Sequence, residues 1–402
     1  MNSVTHQPVW IVSMGAISSI GMNVSDHVES LLKERHGVSN AEILQTHHQD
    51  KLPVCEIKKT NDELATLAGM PLGLSRTIYL SALAAQEALL GLPFNDFSAY
   101  RTGFISGNTV GGMDLTEKFF VDYLQNANRG HLSDVVHHEC GAVTEVVAKH
   151  INLQQFVTTF STACSSSANS LMHAARMIKA NQLDIVLAGG CDALCKFTLN
   201  GFNTLMILDT EPSKPFDKHR RGLNLGEGAA YLVLVSDSVL QKNNLKPIAE
   251  LIGYANANDA FHQTASSAEG HGNYLAMEGA LKQAALKPSD IQYINAHGTG
   301  TSNNDSSESI AIERLFKENV PMFSSTKGNT GHTLGACGAL EAVFSCVALQ
   351  HQVVFPSLRF KDGMDECAIR PETSLKSVLL NHVMSNSFGF GGNCSSLIFR
   401  KA

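Results

Sequence analysis

The sequence predicts an α/β protein whose sheet is covered by helices on both faces. Three observations lead there: short apolar, β-branched segments recur along the 402 residues, helical patterns alternate with several of them, and two parts of the chain repeat one theme. The predicted strands are "VWIVSMG" (9–15), "TGFISG" (102–107), "FVTTFS" (156–161), "DIVLAGG" (184–190), "YLVLVS" (231–236), "AELIGYA" (249–255), "QYINAHG" (292–298), "HVMSNSF" (382–388) and "SLIFRK" (396–401). Most are continuous apolar runs, the pattern of strands buried on both faces. Helical spacing is expected over 78–90, 165–180, 273–286, 305–316 and 333–350.

A polar junction, "SDSVLQKNNLKP" (236–247), divides the chain into parts 1–242 and 243–402. In the first, a strand ends at "STAC" and a helix follows. In the second, "MFSSTKGNTGHTLGACGALEAVFSCVALQ" does likewise, with His332 near its turn. Each part is expected to close on a glycine-bearing loop, "LAGGCDAL" in one and "SNSFGFGGNCSSLIF" in the other. Two pseudo-symmetric halves would bring loops from both to a shared cleft.

Composition narrows the function classes. With 44% hydrophobic and 17% charged residues and 32 dispersed glycines, the chain is neither disordered nor collagen-like. The N-terminal stretch lacks a basic region before its apolar part, and no long uncharged apolar run stands out, so a cytoplasmic protein without membrane insertion is expected. Nine scattered cysteines suit reduced thiols, and Cys191 and Cys195 have no partners to complete a zinc pattern, so no metal is expected. A net charge of −7 offers no general basic field for nucleic acid.

Four segments could carry chemistry. In "FSTACSSSANS" Cys164 sits where a strand hands over to a helix, and the free N–H groups of the helix start favour a thiolate. Taken alone it reads as either a nucleophile or a packing thiol. In "INAHGTGTSNNDSSES" (294–309) His297 enters a Gly/Thr-rich turn. The hydroxyls of Thr299 and Thr301 can bond a polar chain, and Asp305 and Glu308, three apart, could buffer a neighbouring Lys or His. An N-capped helix after a loop histidine is the plainer alternative. "SSTKGNTGHTLGACG" (324–338) places Lys327 and His332 around a glycine-bearing turn without the order of a phosphate loop. In "NSFGFGGN" (386–393) glycines flank Phe388 and Phe390, so backbone N–H groups could face an oxyanion, or the run could be a simple turn.

Together, "TACSSS", "NAHGTGT", "SSTKGNTGHTLGA" and "NSFGFGGN", in this order and spacing, resemble the elongating β-ketoacyl-acyl carrier protein synthases of type II fatty acid and polyketide assembly, from about residue 8 to the C-terminus. The resemblance implies a thiolase fold, two βαβαβαββ halves in layers α-β-α-β-α. It implies a decarboxylative condensation of an acyl group on Cys164 with malonyl-carrier, giving 3-oxoacyl-carrier. It assigns His297 and His332 to the malonyl thioester, Lys327, paired with Glu308, to ordering the site, and the N–H groups of Cys164 and Phe390 to the oxyanion hole. Phe390 is also implied as a gate, Thr299 and Thr301 as holding the pantetheine arm, Asp305 as a support, and Val110, Leu199, Phe202 and Asn393 as substrate contacts. No enzyme-bound cofactor is implied, since phosphopantetheine rides on the carrier.

Several residues depart from the family's pattern. "GTGTSNND" replaces a Pro-Gly-bearing segment, Arg221 and Asn224 stand where an Asp and a branched residue are usual, and Ile207 replaces an arginine of the carrier-docking surface, of which Arg76 survives. These differences suggest a specialised bacterial type II polyketide system, such as one making an aryl polyene. The partners implied are an acyl carrier protein and either a second copy or a cysteine-less, chain-length sister subunit. The alternatives are that this chain is itself a non-catalytic chain-length subunit, or a thiolase using CoA thioesters, for which a second active-site cysteine is needed and Cys394 reads as a core residue.

Overall fold

The computed structural model describes residues 7–93 and 97–402, so the first six residues, where the expected absence of a leader partly rests, lie outside it. The first half contributes β1 (Val9–Ser18), β2 (Thr102–Gly107), β3 (Val157–Phe160), β4 (Ile185–Asp192) and β5 (Gly228–Ser236). The second contributes β6 (Ala249–Asn258), β7 (Tyr293–Asn295), β8 (Met322–Ser324), β9 (His382–Phe388) and β10 (Asn393–Lys401). Hydrogen bonding orders them β3-β2-β4-β5-β1 and β8-β7-β9-β10-β6. Counted within its own half, each sheet therefore runs third, second, fourth, fifth, first. Directions repeat as well: the pairs β2/β3, β2/β4, β7/β8 and β7/β9 are parallel, and the remaining pairs within each half antiparallel. Among the described residues the two sheets join edge to edge at β1 and β6, through Trp10↔Glu250 and Ile11↔Ala249 and the Ile248 N–H to the Ile11 carbonyl.

The helices complete five layers. Helix α1 (Arg76–Leu89) covers the outer face of the first sheet, and α3 (His271–Ala284) covers that of the second. Between the sheets lie α2 (Ser166–Lys179) and α5 (Cys337–His351), each touching strands of both halves; α4 (Ser302–Phe316) packs beside α3. Their sequences explain the placement. Residues 337–349 are all buried, as expected of a helix apolar all round. The segment Leu334–His351 is long and apolar enough to cross a membrane by length and composition, but 89% of it is buried in this core. At Gly15 a Cβ would lie 2.1 Å from the Ala84 carbonyl oxygen, so α1 can approach β1 only because that position is bare.

Three expectations change here. "LAGGCDAL" is strand through Asp192, because Gly189 and Gly190 pair with Tyr231 and Ala230 of β5. The strand expected over 292–298 stops at Asn295, where side-chain carboxylates take over the backbone N–H groups. Arg76 is not on a docking surface: it is 5% exposed, its Nε and guanidinium nitrogen reach the two oxygens of the wholly buried Glu227 at 2.8 and 2.7 Å, and it also donates to Ile57 and Lys59 carbonyls. Glu227 further accepts from the Ile57 and Leu194 N–H groups at 2.9 and 3.0 Å.

Removing one partner of a buried ion pair strands the other without water. Glu227→Ala is therefore expected to cost about 3–5 kcal/mol in denaturant unfolding; a loss below about 1 kcal/mol would mean that Arg76 finds solvent or another anion.

Candidate active site

The elements deliver four segments to one cavity. β3 ends at Phe160, and the chain turns through Ala163, whose φ of +52° is left-handed, to set Cys164 just before α2. The side chain is 6% exposed at the base of a cavity of about 280 Å³. The cavity is lined by Cys164, His297, His332 and Phe390 together with Thr299 and Thr301. Phe202, Met206, Ile207, Arg221 and residues 264–266 line it as well. The volume is at the lower end for small-molecule sites. Within the lining, Phe202 stacks on Phe390 at 5.6 Å between centroids with 19° between the planes.

The sulfur of Cys164 and one ring nitrogen each of His297 and His332 lie within 4.8 Å of one another. Burial pushes the thiol up to about 11, against the downward pull of Lys327 and of the Phe390 and Cys164 N–H groups. The resting group is thus a thiol, and desolvation outweighs the helix-start stabilisation read from the sequence. The same two N–H groups border the sulfur because Gly389 lets the loop in: a Cβ there would lie 3.1 Å from the Cys164 nitrogen.

Both histidines are neutral. Burial, with Lys327 and His332 adding to it, drives His297 well below its ordinary value; burial and Lys327 bring His332 down to about 3. Hydrogen bonds fix which nitrogen bears the proton. The Leu334 N–H donates to His332 Nδ1 at 3.0 Å, and the Lys327 ammonium lies 3.1 Å from His297 Nδ1. With both Nδ1 atoms acting as acceptors, both Nε2 atoms carry hydrogens and serve as donors. Metal binding to this Cys-His-His set would need those nitrogens as bare lone pairs, so the arrangement fits an incoming oxygen better.

Lys327 is wholly enclosed. Its ammonium donates to the His297 carbonyl at 2.7 Å and to Glu341, besides meeting His297 Nδ1. Burial alone would lower this amine, but Glu341 more than restores it, so it stays charged. Its partner is therefore Glu341 and not Glu308. Glu308 instead accepts the N–H groups of His297 and Gly298 at 2.9 and 2.8 Å, and Asp305 those of Thr299 and Gly300. Both are struts of the histidine turn, too far committed to backbone to buffer a side chain.

The remaining expected residues separate. Thr299 and Thr301 line the cavity with their hydroxyls 2.9 Å apart. Phe202 reaches it, whereas Val110 and Leu199 are buried in an adjoining apolar cluster with Leu194, Leu225 and Leu334 and do not line it. Asn393 lies behind the loop: its Oδ1 accepts from Asn169 and Asn256 at 3.0 and 2.6 Å, and its carbonyl accepts the Gly389 N–H. Asn224 is also structural, donating to the Asp209 and Glu211 carbonyls. Cys394 points away to Asn273 Oδ1 at 3.2 Å. Sequence reasoning missed Glu341, whose signal was a lone acid in an otherwise apolar helix. It also missed Cys337, whose thiol donates to the Cys164 carbonyl at 3.1 Å.

Comparison with known proteins bears on this geometry. Residues 6–239 match the family described as "Beta-ketoacyl synthase, N-terminal domain" and residues 248–361 match "Beta-ketoacyl synthase, C-terminal domain". A 3-oxoacyl-[acyl-carrier-protein] synthase 2 of Staphylococcus aureus is 31% identical, and one of Vibrio cholerae 30%, with 98% of this chain covered and 98% and 99% of theirs. Among solved structures, the ishigamide ketosynthase/chain length factor superposes with a TM-score of 0.94 at 27% identity, covering 99% of this chain and 100% of that one. A chain of the complex of a ketosynthase with its chain length factor from Xenorhabdus doucetiae gives 0.84 at 30% identity over 98% of each chain.

Burial raises Glu308 to about 7. A carboxyl raised in the folded state stabilises the fold below its unfolded value, and that contribution is lost as pH rises through the folded one. Glu308→Gln is therefore expected to gain about 3 kcal/mol relative to wild type between pH 5 and pH 8 in paired unfolding curves. Parallel curves would mean that Glu308 is ionised throughout.

Proposed function

The chain belongs to the β-ketoacyl synthase family, and from that premise we propose how its own residues divide the work. It is a β-ketoacyl-acyl carrier protein synthase, condensing an acyl group with malonyl-carrier to give 3-oxoacyl-carrier and CO2. The observation that carries the division of roles is the Cys164 thiol at the base of a cavity, with ring nitrogens of two neutral histidines beside it.

In the first step Cys164 Sγ attacks the thioester carbonyl of an acyl-carrier. Sulfur–carbon bonds form on Cys164 and break on the pantetheine, whose sulfur takes the proton that Cys164 gives up. The N–H groups of Cys164 and Phe390 stabilise the tetrahedral oxyanion. In the second step malonyl-carrier loses CO2, and its thioester oxygen takes hydrogen bonds from Nε2 of His297 and His332 as the enolate forms. The enolate carbon attacks the acyl carbonyl, a carbon–carbon bond replaces the bond to Cys164, and the departing thiolate takes a proton from solvent, which balances the charge of the carboxylate lost as CO2. Neutral donors suit this step because no proton need leave either ring. Thr299 and Thr301 hold the arm, and the Phe390–Phe202 stack must shift for a long acyl chain. The reading asks for no metal or nicotinamide and places the chemistry in the cytoplasm, where carrier-bound thioesters are made.

A partner subunit fits the surface. β3 is an edge strand, and residues 120–136 carry Phe120, Val121, Leu124, Leu132 and Val136, all more than half exposed. An open strand edge and an exposed apolar segment each suit a second copy or a sister chain. The chain keeps Cys164, so in a heterodimer it is the catalytic member, and the solved relatives built as ketosynthase with chain length factor support that setting. The Gly-Thr-Gly-Thr turn and Ile207, standing where an arginine is usual, favour polyketide over housekeeping fatty acid assembly, an aryl polyene pathway being the specific proposal. A thiolase reading lacks its second cysteine at the cavity, since neither Cys394 nor Cys337 lines it.

Intact-mass analysis of wild type and Cys164→Ala with saturated and polyunsaturated acyl-carriers tests this. Acylation confined to wild type, discharged by malonyl-carrier into a product two carbons longer, is expected, with polyunsaturated donors preferred. No acylation, with or without a sister subunit, would favour the non-catalytic reading. His332→Ala should still acylate but condense at least about 100-fold more slowly, the usual cost of one lost oxyanion donor.

A further inference from the structure

The N–H of Cys164 that borders the sulfur belongs to the same peptide unit as the carbonyl of Ala163. That unit is planar and trans, so the direction of the carbonyl sets the direction of the N–H. Ser166, the first residue of α2 and wholly buried, grips the carbonyl twice: its N–H donates to the Ala163 oxygen at 3.1 Å, and its hydroxyl donates to the same oxygen at 2.6 Å. The hydroxyl also accepts the Thr162 N–H at 2.9 Å, so one side chain holds the turn at two successive residues.

This grip works against a local preference. Ala163 has φ +52°, where an alanine Cβ is crowded by its own backbone. The start of α2 is a fixed point from which to hold it there, because the adjacent Ser167 accepts the Ala339 N–H of α5 at 2.9 Å. The neighbouring hydroxyl has a different duty. Ser165 Oγ lies 2.7 Å from the Thr162 carbonyl and 2.6 Å from Asn393 Oδ1, tying the turn to the loop that carries Phe390.

Building on the ketosynthase reading, we propose that Ser166 is a positioning residue for acyl transfer, its hydroxyl holding the Ala163–Cys164 peptide so that the Cys164 N–H points at the oxyanion. Ser166 does not line the cavity and acts only through that peptide. Its effect is confined to steps in which a tetrahedral oxyanion forms on the carbon bound to Cys164. Two reactions at the same site form none there: alkylation of the thiol, which is a direct displacement, and loss of CO2 from malonyl-carrier, whose enolate is held by the histidines.

The test measures three rates in wild type and Ser166→Ala: acylation of Cys164 by an acyl-carrier in a single turnover, alkylation of Cys164 by iodoacetamide, and release of CO2 from malonyl-carrier without an acyl donor. Acylation is expected to fall at least about tenfold, toward the roughly 100-fold cost of a lost oxyanion donor, while alkylation and CO2 release change less than about threefold. Ala163→Gly supplies a second background, in which the left-handed turn forms without crowding. There the fold no longer depends on the grip but the aim of the N–H still does, so the same split is expected even if Ser166→Ala alone does not fold. Equal losses in all three rates would make Ser166 a purely structural residue, and an acylation loss below about threefold would leave its hydroxyl without a part in the reaction; either overturns the proposal. A wild type alkylated by iodoacetamide but acylated by no acyl-carrier would instead overturn the ketosynthase reading on which the proposal rests.

Discussion

The enclosed ammonium of Lys327 is the constraint on which the site depends. A charge in that position is tolerable only with every donor used, and here the three are spent on Glu341, the His297 carbonyl and His297 Nδ1. That distribution fixes the His297 ring, keeps it neutral and turns its N–H toward the cavity. It also ties α5, which supplies Glu341, to the turn after β7. One ion pair thereby joins the central helix layer to the second sheet at the point where chemistry is expected.

The duplicated topology explains why such a meeting point exists. Each half sends its third strand into a helix between the sheets: β3 leads to Cys164 and α2, and β8 leads to Lys327, His332 and α5. Because both helices share one layer, their starts lie together, and the thiol of Cys337 at the beginning of α5 donates to the carbonyl of Cys164 before α2. The loop between β9 and β10 closes over this junction, anchored by Asn393 to Asn169 and Asn256. Phe390 is left with its ring on Phe202 and its N–H on the thiol, so a movement of that loop would change the oxyanion site and the acyl pocket together.

Much of this was legible in the sequence. Apolar runs marked the strands of both halves, with β2 and β9 bounded to the residue, because continuous burial leaves a signal that turns cannot imitate. The four motifs marked the cavity because glycines, histidines and a lysine are concentrated there. Pairings across the fold were less visible. Glu308 lies near His297 in the chain, which makes it the sequence's natural partner for Lys327, yet its reach is used on backbone, while Glu341 comes from a helix position 14 residues beyond the lysine. Arg76 looked like a surface cation because nothing local announces that Glu227, 151 residues away, buries it. The helix Cys140–His150 was missed because its valines and threonine obscure helical spacing.

The proposed chemistry depends on two neutral rings presenting Nε2–H to the cavity, and nitrogen-15 NMR of the imidazoles measures that directly. With signals assigned through His297→Ala and His332→Ala, both rings should show the Nε2–H tautomer without titrating from pH 5 to pH 8. An imidazolium in either ring near pH 6.5, or a proton on Nδ1 of either, would contradict it.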